Sequence, residues 1–168
     1  MNDDSGNQDG SRIIIRQASV SDAEVLAILR YNLRSSIDRV SEDEASFVER
    51  CMLWMQERLQ HSNLWMCWIA EREQTAVGNL WAQLIEKIPN PTSEPEYHLY
   101  FTNFYVRNNC RGIGIGSRLF ESALTWAQTK NAHVAILWPT ERSVSFYLRH
   151  GFSSSADLME LKLTGRKQ

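Results

Sequence analysis

The sequence lacks several features that would mark particular classes of protein. No apolar run approaches the roughly 18 residues that a membrane-spanning helix needs, so we expect no membrane partner. The 18 basic and 20 acidic residues leave a net charge of −2. Without a basic excess to neutralise phosphates, we expect no nucleic-acid partner. The first eleven residues are polar and acidic, unlike a signal peptide, so we expect a cytoplasmic protein.

Cysteine is also scarce, with only Cys51, Cys67 and Cys110 in the chain. Their number is odd and their spacing matches no metal-ligand motif. We interpret them as free thiols in a reducing compartment, and we expect no metal cofactor. Cys110 lies beside Arg111 and could be an activated nucleophile. Because no histidine lies near it in sequence, we favour an ordinary thiol.

The composition predicts one globular domain. Hydrophobic residues make up 43% of the chain and charged residues 23%, and 168 residues suffice to enclose a core. Residues 1–11 have little apolar content, so we predict a disordered tail there. A single domain is predicted over residues 12–168.

Apolar periodicity predicts the order of elements βααβββαβαβ. The predicted strands cover residues 12–18, 64–71, 76–88, 98–106, 132–138 and 156–163. Two capping boxes, at residues 21–24 and 41–44, predict the first two helix starts. A third helix follows the loop at residues 111–116, and a fourth covers about residues 141–150, with Gly151 just beyond its end. This order predicts a mixed sheet flanked by helices.

The most informative stretch, residues 98–130, has the pattern of a strand, a glycine-rich loop and a helix. The loop is RGIGIG at residues 111–116. Glycines allow successive N–H groups to point at one ligand, and a helix N-terminus adds partial positive charge. Arg111 could add a charge-assisted bond. The loop therefore suits a phosphate, although glycine-rich connections without a ligand are about as common.

Two common phosphate motifs do not match this loop. The dinucleotide fingerprint needs a glycine at position 117, which is Ser117, and no Gly-Lys-Ser/Thr triplet occurs in the chain. The run VRNNCRGIGIGSRLF instead resembles the acetyl-CoA loop of the GNAT acetyltransferase superfamily. The segment FYLRHGF at residues 146–152 resembles that family's Phe/Leu-Tyr-x-x-x-Gly-Phe segment, in the same order and at the same distance.

This resemblance covers residues 12–163 and implies an α/β (α+β) GNAT fold, with a mixed, mostly antiparallel sheet flanked by about four helices. It implies acetyl transfer from acetyl-CoA to a primary amine by direct attack in a ternary complex. The loop would bind the pyrophosphate, and the pantetheine arm would pair with the central strand, often beside a bulge. The cofactor-binding residues that it implies are Phe104, Tyr105, Val106, Arg111, Gly112, Ile113, Gly114, Gly116, Ser117, Thr140 and Ser143.

The resemblance also implies catalytic roles for Tyr147 and Asn103. Tyr147 matches the family tyrosine that protonates the leaving thiolate, although it could be an aromatic core residue of its helix. A backbone N–H near Phe104 or Tyr105 would face the developing oxyanion. Thr140 stands where many relatives have an asparagine that contacts CoA, and it can still donate a hydrogen bond.

The general base is not assigned by the sequence. Many relatives carry a glutamate on the central strand, whereas residues 97–106 contain no carboxylate. Asn103 stands nearest to that position and could hold a water or the amine, but it cannot act as a base. Glu96, Glu141 or a chain of waters are the remaining candidates.

The acceptor is expected to be an amine of a small molecule or of a protein. In the family, its site is built from the first two helices, their loop and the loop before the central strand, here residues 31–40 and 88–96. No charge pattern distinguishes a peptide, an amino acid, a polyamine or an aminoglycoside. The missing carboxylate leaves open a non-catalytic acyl-CoA-binding sensor or partner module. A longer acyl donor and a homodimer are also left open.

Overall fold

The structure, a computed structural model, describes residues 12–155 and 158–161. The described residues group into two compact units, one ending at Leu137 and the other beginning at Trp138. The predicted tail over residues 1–11 lies outside the described residues. A single domain over residues 12–168 stays a prediction.

The first unit is built on one five-stranded sheet whose strands lie side by side in chain order. The strands are β1 Ile13–Gln17, β2 Trp65–Arg72, β3 Thr75–Glu86, β4 Tyr97–Val106 and β5 Ala132–Ile136. The first four strands pair antiparallel, and β5 pairs parallel with β4. The predicted mixed, mostly antiparallel sheet is therefore confirmed.

The described residues contain four α-helices, α1 Ala23–Ser35, α2 Glu44–His61, α3 Ile115–Thr129 and α4 Val144–Arg149. Alternation along β2 shows which face the helices of the first unit cover. Cys67 and Ile69 belong to a core cluster with residues of α1 and α2. Trp68, between them, contacts Trp126 of α3 with ring centroids 5.5 Å apart. Because successive strand residues point to opposite faces, α1 and α2 cover one face of the sheet and α3 covers the other.

The predicted N-caps of the first two helices differ from the observed ones, since Ser21 lies one residue before Asp22, the N-cap of α1, and Ser41 lies two residues before Asp43, the N-cap of α2. Ser19, not Ser21, forms the capping box, with Asp22 as its partner, and a 3₁₀ turn over Val20–Asp22 precedes α1. At α2 the N-cap is Asp43, whose carboxylate accepts a hydrogen bond from the Ser46 amide at 3.0 Å. Both helices thus have an aspartate as N-cap, but only the Asp43 carboxylate caps its helix directly, whereas the Asp22 carboxylate accepts the Ser19 amide and closes the turn before α1.

The predicted end of α4 at Gly151 is confirmed. Gly151 has a φ of +86°, the left-handed conformation that glycine adopts at low cost. Its amide donates to the Leu148 carbonyl at 3.2 Å, and the Phe152 amide donates to the Tyr147 carbonyl at 3.1 Å. The rings of Tyr147 and Phe152 lie 5.7 Å apart. These two bonds and this contact form a Schellman motif.

The strand predicted over residues 156–163 is not formed in the part of it that the structure describes. Residues 158–161 have no strand assignment, and the remaining residues of that prediction lie outside the described ones. Leu158, Met159 and Leu161 are 55%, 93% and 61% exposed. The alternating pattern therefore does not correspond to a buried strand face at these four positions. No helix of the described residues is long and apolar enough to cross a membrane.

Arg16 of β1 ties the first strand to β2 and to the start of α1. Its Nη1 and Nη2 atoms donate to the two carboxylate oxygens of Asp22 at 2.8 and 2.7 Å, and its Nε atom donates to Glu71 at 3.1 Å. The hydrogen bonds from Arg16 are the main reason that the pKa of Asp22 is lowered to about 2. The buried carboxylate of Asp22 therefore stabilises the fold only while it is ionised.

We expect Asp22→Asn to lower the free energy of unfolding by about 2 kcal/mol at pH 6, because charge-assisted hydrogen bonds are lost. The folded pKa of Asp22 is depressed, so its contribution is present above about pH 4 and disappears as the pH falls through about 2. Urea denaturation at pH 6, 4, 3 and 2 measures the difference. Glu57→Gln, in an exposed pair with Arg58, is the control and should change stability by less than about 0.5 kcal/mol. A gap between wild type and Asp22→Asn that persists unchanged at pH 2 would contradict this account.

Candidate active site

Strand β4 carries a bulge at Asn103, as the resemblance implies. Thr102 pairs with Trp81 and Tyr105 pairs with Asn79, so two residues of β4 lie opposite one residue of β3. Asn103 has a φ of +49°, in the left-handed region that asparagine tolerates better than most residues. The extra residue exchanges the faces to which the following side chains point.

Two residues of β3 hold the bulge in place. Asn79 is fully buried, and its Nδ2 atom donates a hydrogen bond to the Asn103 carbonyl oxygen at 2.7 Å. Gly78 allows β3 to lie close to the bulge, because a Cβ atom there would stand 2.8 Å from the carbonyl oxygen of Tyr105. The conformation of β4 is therefore fixed by its neighbour as well as by its own sequence.

The bulge gives its two following residues different environments. The Phe104 ring stacks near Phe120 of α3, with centroids 6.5 Å apart. The Tyr105 side chain is buried in the core cluster with residues of α1 and α2. The ladder between β4 and β5 ends at Tyr100 and Ile136, whereas β4 continues to Val106. The predicted cofactor-binding residues Phe104–Val106 thus lie beyond the last paired position of the two parallel strands.

The loop after β4 presents a row of backbone donors. Gly112 and Gly114 have φ values of +80° and +83°, and Gly114 is the N-cap of α3 without a side chain that could cap it. Within the described residues, the six amides from Gly112 to Ser117 donate no hydrogen bond, and the first helical bond is from Arg118 to Gly114 at 3.1 Å. These donors stand at the positive end of the helix dipole, so the loop is suited to bind an anion.

The loop has free space beside two of its glycines. A Cβ atom at Gly112 or at Gly114 would meet no described atom within 4 Å outside the adjoining residues. These two glycines are therefore needed for their backbone conformation and not for lack of room. Ile113 is 57% exposed, whereas Ile115 is buried and anchors the first turn of α3.

Arg111 connects the loop to the end of β4. Its Nε atom donates to the Val106 carbonyl oxygen at 2.9 Å, and its guanidinium lies 5.8 Å from the Tyr105 ring centroid. One strand, one loop and the first turn of one helix thus bring together all the site residues that the sequence predicts in the first unit, namely Asn103, Phe104, Tyr105, Val106, Arg111, Gly112, Ile113, Gly114, Gly116 and Ser117.

The second unit holds Thr140, Ser143 and Tyr147. The hydroxyl of Thr140 donates to Ser143 Oγ at 3.0 Å, and Ser143 Oγ donates to the Thr140 carbonyl oxygen at 2.8 Å. These hydroxyls already pair with one another at the start of the 3₁₀ turn Glu141–Ser143. Tyr147, in α4, is half-buried, and burial raises the pKa of its phenol to about 12. The phenol is therefore protonated at neutral pH.

Sequence reasoning missed two residues next to the bulge, Asn79 and Arg30. Arg30 of α1 is half-buried, and its Nη1 atom donates to Asn103 Oδ1 at 3.4 Å. Each residue has a signal in the sequence. Asn79 is a polar residue within the apolar run AVGNLWA, and Arg30 follows Ala23, Leu26 and Ala27 at helical spacing. Among the described residues, no group of three or more His, Cys, Asp or Glu is placed to hold a metal ion.

The conformation of Asn103 leads to a testable difference between two variants. Asn103→Gly and Asn103→Ala both remove the amide that accepts a hydrogen bond from Arg30, but only glycine adopts the φ of +49° without steric cost. We expect the alanine variant to be less stable than the glycine variant by about 1 kcal/mol, measured by urea denaturation. Equal or greater stability of the alanine variant would show that the bulge can relax and is not held by β3.

The comparisons with known proteins agree with this geometry. A model of the acetyltransferase (GNAT) family matches residues 31–152. A predicted acetyltransferase from Clostridium acetobutylicum, solved with acetyl-CoA, is 22% identical with a TM-score of 0.80, over 94% of this chain and 100% of that one. A GCN5-related N-acetyltransferase from Ralstonia eutropha is 22% identical with a TM-score of 0.75, over 90% and 99% of the two chains.

An aminoglycoside N-acetyltransferase in complex with CoA is 17% identical with a TM-score of 0.69, over 93% of this chain and 97% of that one. No curated protein sequence matches the chain. The five-stranded mixed sheet and the four helices correspond to the GNAT fold of these structures. The family model spans most of the chain, and this protein belongs to the GNAT acetyltransferase family.

Proposed function

We propose that this protein is an N-acetyltransferase that transfers the acetyl group of acetyl-CoA to a primary amine of a small molecule or a protein. The observation that carries the proposal is the row of six amides, Gly112 to Ser117, that have no acceptor within the described residues at the N-terminus of α3. A pyrophosphate is an anion with several acceptor oxygens and suits such a row. Cytoplasmic location, an amine acceptor, and the absence of nucleic-acid and membrane partners stay predictions from the sequence.

The proposed contacts with the cofactor involve three groups of residues. The loop amides and Arg111 would bind the pyrophosphate, and the backbone of Phe104–Val106 would pair with the amide-rich pantetheine arm. Thr140 and Ser143 would bind the cofactor with the hydroxyl groups that now pair with one another. At Gly112 and Gly114 a ligand would find space, because a Cβ atom at either glycine meets no described atom within 4 Å outside the adjoining residues.

The reaction forms a C–N bond between the acceptor amine and the acetyl carbon, and it breaks the C–S bond of the thioester. A backbone N–H of Phe104 or Tyr105, beside the bulge, would stabilise the oxyanion that develops on the acetyl oxygen. The amine must be neutral to attack, although an alkyl ammonium has a pKa near ~10.4. Asn103 would hold the amine or a water, and the proton lost by the amine would leave through water, because an amide cannot accept it.

The electron pair of the broken C–S bond leaves on the CoA sulfur. A thiol has a pKa near ~8.5, whereas burial raises the pKa of Tyr147 to about 12. Complete proton transfer from the phenol to the thiolate is thus uphill by roughly 3.5 pKa units, or about 5 kcal/mol. Tyr147 would therefore stabilise the leaving thiolate as a hydrogen-bond donor, and its phenol would be reprotonated at once after any transfer.

A second candidate function is acyl-CoA binding without turnover. It is favoured by one observation, the lack of a carboxylate in β4 from Tyr97 to Val106. In that case the loop would bind the cofactor in the same way, and no acceptor would be acetylated.

A thiol-release assay separates the two functions. Acetyl-CoA and the purified protein are combined with amino acids, peptides, polyamines and aminoglycosides, and binding of acetyl-CoA is followed in parallel by thermal shift. Acceptor-dependent release of CoA supports the transferase. A thermal shift without release on any acceptor favours the binding module. No shift and no release would overturn both, because both require the loop to bind CoA.

The loop itself can be tested by placing a charge at the N-cap of α3. We expect the negative charge of Gly114→Asp to repel the pyrophosphate at this loop. Gly114→Asn is the matched control, since it has the same shape and tolerates the left-handed φ but carries no charge. We expect the aspartate variant to bind acetyl-CoA at least tenfold more weakly than the asparagine variant, measured by calorimetry. Equal affinities would contradict a phosphate site at this loop.

We expect Tyr147→Phe to lower kcat by about 10- to 100-fold, because the leaving thiolate loses its hydrogen-bond donor. The KM for acetyl-CoA should change less than threefold. With a pKa of about 12, Tyr147 stays protonated, so wild-type kcat should show no loss of activity from its ionisation between pH 7 and 10. Thiol release in steady state measures these values. An unchanged kcat in the phenylalanine variant would assign Tyr147 to the packing of α4 alone.

A further inference from the structure

Arg30 is a half-buried cation that forms no ion pair with any described residue. It follows Ala23, Leu26 and Ala27 at helical spacing, so it occupies a core-facing position of α1. Its only hydrogen bond in the described part of the chain is the 3.4 Å bond to Asn103 Oδ1, and no described carboxylate forms an ion pair with it. Burial, followed by repulsion from Arg34, lowers the pKa of Arg30. An incompletely compensated charge at such a position costs stability.

A second half-buried arginine shows what a structural arginine looks like in this protein. Arg16 has a side chain that is 37% exposed, and it binds two carboxylates, Asp22 and Glu71. Arg30 has only a neutral amide oxygen, although burial is the largest influence on its pKa. Among the described residues, two carboxylates therefore pair with Arg16 of β1, and none pairs with Arg30 of α1.

Arg34 adds a second positive charge one helical turn away. Residues four apart on a helix are neighbours, and like charges at this spacing repel. The end of α1 explains Arg34 by itself, because a cation in the last turn interacts favourably with the helix dipole. The dipole does not explain Arg30, which lies before the last turn and points at the bulge.

The side of the sheet on which Arg30 lies distinguishes its ligand from the pyrophosphate. The loop at Gly112–Ser117 opens α3, which covers one face of the sheet, whereas Arg30 belongs to α1 on the other face. Its electrostatic neighbours include Cys51 of α2 and Tyr100 of β4. Arg30 therefore reaches Asn103, the residue proposed to hold the acceptor amine, from the side of the first two helices.

We propose that the acceptor carries a carboxylate or a phosphate in addition to its amine, and that Arg30 binds this anionic group beside Asn103. The proposal rests on the transferase function proposed above. A planar guanidinium matches either anion with paired hydrogen bonds, and Arg34 strengthens the local positive potential. The anionic group of the acceptor would be the counter-ion of Arg30 and would place the amine at the bulge. Polycationic acceptors would be repelled.

Acceptors that differ only in the anion test this inference. Serine is compared with serinamide, and phosphoethanolamine with ethanolamine, so that the two pairs separate carboxylate from phosphate; spermidine represents polycations. The variants are Arg30→Gln, Arg30→Lys and the control Arg72→Gln at the β2–β3 turn. Thiol release gives kcat and KM, and calorimetry on the protein with and without acetyl-CoA gives equilibrium binding of the same five probes.

We expect wild type to favour the anionic member of at least one pair by tenfold or more in kcat/KM or in affinity. Arg30→Gln should abolish this preference through the acceptor KM, Arg30→Lys should keep part of it, and Arg72→Gln should keep all of it. The KM for acetyl-CoA should stay within twofold in every variant. Because Arg30 forms no ion pair with any described residue, the Tm of Arg30→Gln should be unchanged or higher.

Several results would overturn the inference and leave the transferase function intact. The first is that wild type prefers serinamide, ethanolamine or spermidine as acceptor. The second is that Arg30→Gln keeps the preference for anionic acceptors. The third is that Arg30→Gln raises the KM for acetyl-CoA. Failure of the proposed function has a different signature, namely no release of CoA on any acceptor of the wider panel, whether or not acetyl-CoA binds. If no probe is turned over, calorimetry decides: anion binding that Arg30→Gln abolishes supports the inference, and the lack of such binding overturns it.

Discussion

The hydrogen bond from Asn79 to the Asn103 carbonyl is the interaction on which the candidate site depends. It fixes one extra residue in β4, and that residue sends Phe104 towards α3 and Tyr105 into the core below α1 and α2. Without the bulge, each side chain beyond Asn103 would point to the opposite face of the sheet. Gly78 is part of the same constraint, because any larger residue there would push against the carbonyl of Tyr105.

Two sources of positive potential meet at this strand in a chain whose net charge is −2. One is the row of amides before α3, where partial charges come from the backbone and no lysine is needed. The other is Arg30, a full charge held close to Asn103. A site made of backbone amides does not depend on side chains and would suit the proposed cofactor, which is the same for every reaction. An arginine side chain can be changed by a single substitution and would suit the proposed selection of the acceptor.

The first five strands and their ends follow from local pattern to within two residues, whereas the capping boxes of the first two helices and the described part of the last predicted strand do not. β2 is predicted to within one residue because seven successive residues, Leu64 to Ala70, are apolar or aromatic and lie between polar ones. The capping box before α1 is predicted two residues too late. The Asp22 carboxylate binds Arg16, six residues earlier, and belongs to a 3₁₀ turn that no local propensity indicates. The strand predicted over residues 156–163 is not formed at its described positions. Alternation of apolar and polar residues does not show whether a neighbouring strand is available for pairing.

The candidate site also contains residues that a sequence motif predicts and residues that only the tertiary structure identifies. The loop at residues 111–116 has a motif, and its glycines have the conformations that an anion cradle requires. Asn79 and Arg30 have no motif, and their importance depends on which atoms β3 and α1 bring next to Asn103. Both residues are visible in the sequence as exceptions to an apolar pattern, Asn79 within a strand and Arg30 on one face of a helix. Only the tertiary structure shows that both exceptions meet at one residue.

The unsatisfied amides at the start of α3 link the lifetime of the folded protein to its metabolic state. A helix whose first turn has no internal cap frays, and a ligand that binds these amides only in the folded chain stabilises the whole fold by mass action. At a ligand concentration a hundred times the Kd, this linkage amounts to about 2.7 kcal/mol, a large fraction of the stability of an ordinary domain. If the loop binds acetyl-CoA as proposed, a cell short of acetyl-CoA would hold a less stable population of this protein, and proteases would remove it faster without any dedicated signal.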